Sequence, residues 1–144
     1  MFRRILVPFD FGAPAERALG VAIEFARVCG ASLTILYVHE VPAHAYAGVD
    51  STLAYSHTPV SAAGEERLDQ LIRETKARYP SIEGLFRVGF PSDLILEVAA
   101  GGYDLIVMGT HGRRGVARAA LGSVAEKVVR LSTVPVLTVH ASEG

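Results

Sequence analysis

Glycines recur near the end of this chain at a spacing that suits an anion. The stretch reads Gly109-Thr110-His111-Gly112-Arg113-Arg114-Gly115-Val116-Ala117-Arg118-Ala119-Ala120-Leu121-Gly122-Ser123, leaving a short apolar run and entering a helical pattern. Glycine is needed where the backbone takes positive φ, or where it approaches a ligand more closely than a Cβ permits. Gly109 and Gly112 would free their amides to face a phosphate. Gly122 and Ser123 would open a helix whose unpaired N–H groups and dipole favour negative charge. The Ser123 hydroxyl can add a donor or cap that helix. The same residues also suit an ordinary glycine-rich turn followed by an N-cap, and spacing alone does not separate the two.

Two familiar phosphate motifs are excluded. No Gly-Lys-Ser/Thr closes the loop, so it is not a P-loop. The dinucleotide fingerprint would follow the first strand, where this chain reads Asp10-Phe11-Gly12-Ala13-Pro14.

Asp10 is the second chemical feature. It ends the first apolar run, so its carboxylate belongs at the carboxyl edge of a sheet. An anion there repels phosphate but can accept hydrogen bonds from two adjacent ribose hydroxyls. It can also N-cap the following helix through the turn that holds Gly12 and Pro14, and the two roles are compatible. Arg113, Arg114 and Arg118 crowd the glycine-rich loop, where a guanidinium can meet terminal phosphates bidentately or simply stay solvated. His39, His44, His57 and His111 show no zinc-ligand spacing, and Cys29 is the single cysteine. A magnesium ion held by phosphates fits better than a metal site built by the protein.

These residues need elements to position them. Ile5 to Phe9, Leu33 to His39, Leu105 to Met108 and Val134 to Val139 are nearly continuous apolar runs, as expected of strands covered on both faces. Ile82 to Val88, interrupted by Glu83, Gly84 and Arg87, reads as an edge strand. Between them lie helical patterns. Ala15, Ala18, Leu19, Ala22, Ile23, Phe25 and Ala26 form one apolar face, closed by Gly30. A second helix is expected over about Ser61 to Tyr79. A third follows Pro91 with Ser92 as N-cap, and the last starts near Gly122-Ser123 and carries Val124, Val128 and Leu131. Strand and helix in alternation imply parallel strands joined by right-handed crossovers. The expectation is one α/β domain over residues 1–144, an open five-stranded parallel sheet sandwiched by helices. The Glu40 to Ala63 segment breaks the rhythm, and following the second strand it belongs at the ligand-binding edge, as a lid or as a plain surface loop.

Composition sets the outer bounds. The 144 residues are 50% hydrophobic and 20% charged, enough for a buried core without a staple. A formal net charge of −1 gives no global reason to expect nucleic acid or an anionic membrane as partner. One cysteine fits a reducing compartment. No apolar run approaches a membrane span. The apolar stretch after Arg3 and Arg4 stops at Asp10 and lacks a small-residue cleavage site, so the cytoplasm is the expected location.

The Gly109-x2-Gly112-x9-Gly122-Ser123 spacing, together with Val7-Pro8-Phe9-Asp10 ending the first strand, resembles the universal stress protein family over essentially the whole chain. The resemblance implies a Rossmann-like sheet of order 3-2-1-4-5 and the branch of the family that binds ATP. It implies that Asp10 holds the ribose, that Pro8 and Phe9 line the pocket, and that Val38 meets adenine through its backbone. Met108, Gly109, Gly112, Gly122, Ser123 and Val124 would surround the ribose and phosphates, with Arg113 beside them. It also implies a homodimer through the last strand, Val134 to Val139. One departure stands out: the family often carries a hydroxyl residue shortly after the Asp, where this chain has Gly12-Ala13. That puts local capping in question more than nucleotide binding.

Catalysis finds less support in the residues. Hydrolysis of ATP needs an oriented water and charge stabilisation in the transition state. Asp10 would face the ribose rather than the γ-phosphate, and His111 is the sole base suggested by position. Slow turnover or none is expected. Two enzyme classes are argued against. A nucleotidyltransferase of related architecture would carry His-x-Gly-His after the first strand, and a phosphorelay receiver would carry paired acids there and an Asp after the third. The chain shows Asp10 alone, and Gly89-Phe90-Pro91.

Overall fold

The apolar runs lie side by side as strands, and the amphipathic stretches between them fold back over the two faces they create. The computed structural model describes residues 1–41, 59–111 and 121–140. Within these, the order is β1 (Arg4–Pro8), α1 (Ala13–Cys29), β2 (Ser32–Glu40), α2 (Pro59–Lys76), β3 (Ile82–Gly89), α3 (Pro91–Ala99), β4 (Leu105–Gly109), α4 (Ser123–Leu131) and β5 (Val136–Val139). All pairings are parallel and the sheet order is β3-β2-β1-β4-β5. This is the expected five-stranded order, with β3 at one edge as its polar interruptions suggest.

Alternation along each strand builds two cores. Ile5, Val7, Leu33, Ile35, Leu105 and Val107 point to one face, against Ala18, Ala22 and Ala26 of α1 and Leu68 of α2. Leu6, Leu36, Ile106 and Met108 point to the other, against Ile95 of α3 and Ala125 and Val128 of α4. Each large aliphatic side chain so buried contributes roughly 1.5–3 kcal/mol, which is why the central strands read as unbroken apolar runs. The small alanines of α1 let that helix sit close to β1 and β4.

Local signals explain most element ends. Pro14 stands in the first turn of α1, where a missing N–H costs little. Gly30 ends that helix at φ 68°, a left-handed conformation glycine takes without strain, and its amide donates to the Ala26 carbonyl.

Several boundaries differ from expectation. α2 starts at Pro59 and stops at Lys76, so the part of the Glu40 to Ala63 segment from residue 59 is helical; residues 42–58 lie outside the described residues. α3 is capped by Phe90 in extended backbone, not by Ser92, because Pro91 already occupies the first turn. β5 begins at Val136: Val134 is drawn into a turn, its amide donating to Ser132 Oγ at 3.1 Å, and Pro135 lends only its carbonyl to the Ile106 amide at 2.9 Å. Phe25 was expected inward but lies 38% exposed on α1.

Candidate functional site

Three pieces of backbone meet at the carboxyl edge of the sheet. The first is the turn after β1. Asp10 is half-buried there, and its Oδ1 accepts the Gly12 amide at 2.9 Å. Asp10 therefore does not cap α1: Gly12 is the N-cap, with no side-chain cap bond, as expected where the family's hydroxyl residue is missing. The carboxylate instead closes an Asx-type turn across Phe11, which takes φ 65°. A non-glycine residue in that region costs about 1–3 kcal/mol and persists only where its surroundings hold it.

The second piece is the end of β4. A Cβ on Gly109 would lie 2.6 Å from Pro14 Cβ and 2.9 Å from the Pro14 carbonyl carbon. Glycine is required at this position because the first turn of α1 presses directly against β4, a packing reason that the sequence spacing did not show. The contact locks the Asp10 turn to the β4 end, and β1 and β4 are neighbours in the sheet.

The third piece is the start of α4. Gly122 is its N-cap in extended backbone, at φ −64° and ψ 163°, and no side chain caps it. The Gly122 amide donates to the Thr110 carbonyl at 2.6 Å, while the Thr110 amide donates to Val139 at 3.0 Å. Both flanks of the glycine-rich loop are thereby clasped together over β5. The first intrahelical bond runs from the Glu126 amide to the Gly122 carbonyl, so the amides of Ser123, Val124 and Ala125 have no carbonyl within the helix. Ser123 is the first helical residue and is exposed. These amides and the helix dipole make an anion-favouring end.

His111 adds one further polar group. Its Nδ1 lies 3.2 Å from Thr110 Oγ1, and its buried Nε2 has no hydrogen-bond partner among the described residues. A buried polar atom left unpaired costs about 1–3 kcal/mol, so this nitrogen is open to a polar ligand group.

The remaining expected residues divide by face. Met108, Val38 and Val124 belong to the α3/α4 face. Pro8 is buried at the end of β1, opposite Leu36. The Phe9 ring goes the other way, into the core beneath α1, where it is 4% exposed. Only its main chain remains at the sheet edge, its amide donating to Leu36 at 2.9 Å. Gly112, Arg113, Arg114 and Arg118 lie outside the described residues. Sequence reasoning missed Thr110, whose carbonyl and hydroxyl organise the site. A hydroxyl residue between Gly109 and His111, following a buried strand, is the signal that was available.

A groove of about 260 Å³ elsewhere is a poor rival. Phe9, Leu19 and Leu71 line it between α1 and α2, with Glu16, Glu74, Thr75 and Arg78. Its two carboxylates oppose a polyphosphate. Among the described residues no group of three or more His, Cys, Asp or Glu could hold a metal ion. No helix there is long and apolar enough to cross a membrane.

Known proteins share this fold. A universal stress protein of Thermus aquaticus is 34% identical over 141 residues, covering 97% of this chain and all of the relative. The solved structure of universal stress protein UspA from Lactobacillus plantarum superposes with a TM-score of 0.81 at 27% identity, covering 96% of this chain and 97% of that one. A universal stress protein solved in complex with cAMP matches with a TM-score of 0.72 at 28% identity, over 98% of each chain. The model of the universal stress protein family matches residues 1–140. With that match over nearly the whole length and the sheet order β3-β2-β1-β4-β5, the chain belongs to the universal stress protein family.

Proposed function

We propose that this chain is an ATP-binding regulator or sensor of the stress response, acting as a homodimer in the cytoplasm, with little or no hydrolysis. The observation that carries the reading is the Gly122 to Thr110 hydrogen bond, which keeps the free amides of α4 beside the end of β4 while Gly109 holds the Asp10 turn against the same strand. The phosphates would rest on the amides of Ser123, Val124 and Ala125 and on the Gly109–Gly112 loop, the ribose hydroxyls on Asp10, and adenine against the main chain of Val38. Magnesium, held by the phosphates, would supply charge neutralisation. The cAMP complex of a similar protein supports an adenine nucleotide as the ligand class.

The dimer is supported by the position of β5 at the sheet edge and by Val129 and Leu131 of the adjoining α4, which are 45% and 47% exposed. A domain spanning residues 1–144 agrees with the extent of the family match.

Equilibrium binding with labelled ATP tests the reading. Gly122→Val adds a side chain where the backbone must approach the phosphates, and binding should disappear. Unchanged affinity would refute the pocket.

The orphan Nε2 of His111 favours one alternative, a weak ATPase in which that nitrogen accepts a proton from the attacking water. Phosphate release would then survive extensive purification and vanish in Gly122→Val; activity persisting in that variant would be contamination. A structural dimer with a vestigial pocket is distinguished from both by the absence of any thermal shift with millimolar Mg-ATP.

A further inference from the structure

Phe11 is the sole non-glycine residue with positive φ among the described residues, and it sits directly between Asp10 and the α1 N-cap. Its left-handed backbone is what turns the Gly12 amide back onto Asp10 Oδ1. Something must hold it there, and the structure supplies three contacts. The Phe11 ring meets Phe9 edge-on, with centroids 5.0 Å apart, and meets Tyr37 at 5.1 Å in the same manner. The Arg67 guanidinium of α2 lies 4.0 Å from the Phe11 centroid. One turn earlier, Gly64 lets α2 lie against Tyr37: a Cβ there would be 2.8 Å from Tyr37 Cε2.

The face of α2 made by Gly64 and Arg67 thus braces two residues that each precede or follow a proposed nucleotide contact. Phe11 follows Asp10, and Tyr37 precedes Val38. We propose that Phe11, held in its left-handed conformation by Arg67 and Tyr37, is the positioning residue that aims the Asp10 carboxylate at the ribose hydroxyls and so sets selectivity for a ribose over a deoxygenated sugar. This inference rests on the reading that Asp10 receives the ribose. Phe11 does not touch the nucleotide in this scheme; it acts through the turn. Aromatic edge contacts and a cation over the ring face are specific in geometry, so they fix the backbone angle as well as the ring.

Selectivity is the readout, because a merely structural role would weaken all nucleotides alike. Dissociation constants are measured for ATP and for 2′,3′-dideoxy-ATP, with circular dichroism confirming the fold of each variant. Two hydrogen bonds to a carboxylate predict that wild type prefers ATP by about ten- to a hundredfold. Phe11→Gly accepts the positive φ without strain but releases the clamp, and should cut that preference by at least about fivefold while leaving dideoxy-ATP affinity nearly unchanged. Arg67 is exposed, so Arg67→Met leaves folding intact and should cut the preference about two- to fivefold. Phe11→Tyr keeps the ring and should retain the wild-type preference.

If wild type discriminates while Phe11→Gly and Arg67→Met keep the full preference, the positioning role is overturned and the ribose reading stands. If both affinities fall in parallel, Phe11 is structural only, which also overturns it. If wild type binds ATP without discriminating, the assignment of Asp10 to the ribose fails and this inference falls with it.

Discussion

The amide of Gly122 donates to the carbonyl of Thr110 across eleven intervening residues, at 2.6 Å. That bond closes the glycine-rich loop at its base, so whatever the loop does, its two ends cannot drift apart. It also uses one amide that sequence reasoning would have counted as free for a phosphate. In the proposed reading the phosphates would therefore rest on the amides of Ser123, Val124 and Ala125, which have no acceptor within the helix, while Gly122 would leave room for them.

This division of labour separates stability from binding at Gly122. Its φ of −64° is open to any residue, so Gly122→Val should cost the fold only about 1 kcal/mol through a poorer N-cap. Affinity for Mg-ATP should fall by at least about a hundredfold, because several charge-assisted bonds depend on the same close approach. Urea unfolding and equilibrium dialysis, run on the same preparation, check both halves.

Gly109 should behave in the opposite way. Its missing side chain is demanded by Pro14, which includes backbone and cannot yield as a flexible side chain would. Gly109→Ala should destabilise the protein by about 1–3 kcal/mol in the absence of any nucleotide. Thermal or urea unfolding without ligand is the measurement; an unchanged midpoint would contradict the packing account.

Asp10 has a local and a ligand role that two substitutions can divide. Asp10→Asn keeps an oxygen to accept the Gly12 amide but loses the charge, whereas Asp10→Ala loses both. Titration calorimetry should show ATP affinity falling about ten- to a hundredfold in Asp10→Ala. Asp10→Asn should fall between that variant and wild type, with unfolding midpoints closer to wild type.

The dimer proposal makes its own prediction. Leu131 is 47% exposed at the end of α4, so Leu131→Lys should leave the fold unaffected. Light scattering should report a shift from dimer toward monomer if the apolar strip beside β5 is buried between copies. A mass of one subunit for wild type would contradict the proposal outright.

Much of the fold is legible in the amino-acid sequence. The apolar runs and the alanine face of α1 are local patterns with a direct structural meaning, and Gly30 marks its helix end by a local steric rule. The strand order came from the family resemblance carried by the glycine spacing. What was not legible depends on contacts between distant segments. Nothing near Gly109 in sequence announces Pro14, nearly a hundred residues earlier, as the reason for a glycine. Nothing about a phenylalanine marks positive φ; Phe11 is held by Phe9, Tyr37 and Arg67 from three elements or their ends. Phe90 replaced Ser92 as a cap because proline placement outweighed side-chain preference. The Phe9 ring lies beneath α1 because strand alternation sends it there.

Amide chemical-shift mapping during titration with Mg-ATP tests the central claim most directly. The account predicts saturable shifts concentrated at Gly12, Ser123, Val124 and Ala125. Absence of shifts at millimolar nucleotide, or shifts confined to Leu71, Glu74 and Thr75 in the groove between α1 and α2, would contradict it.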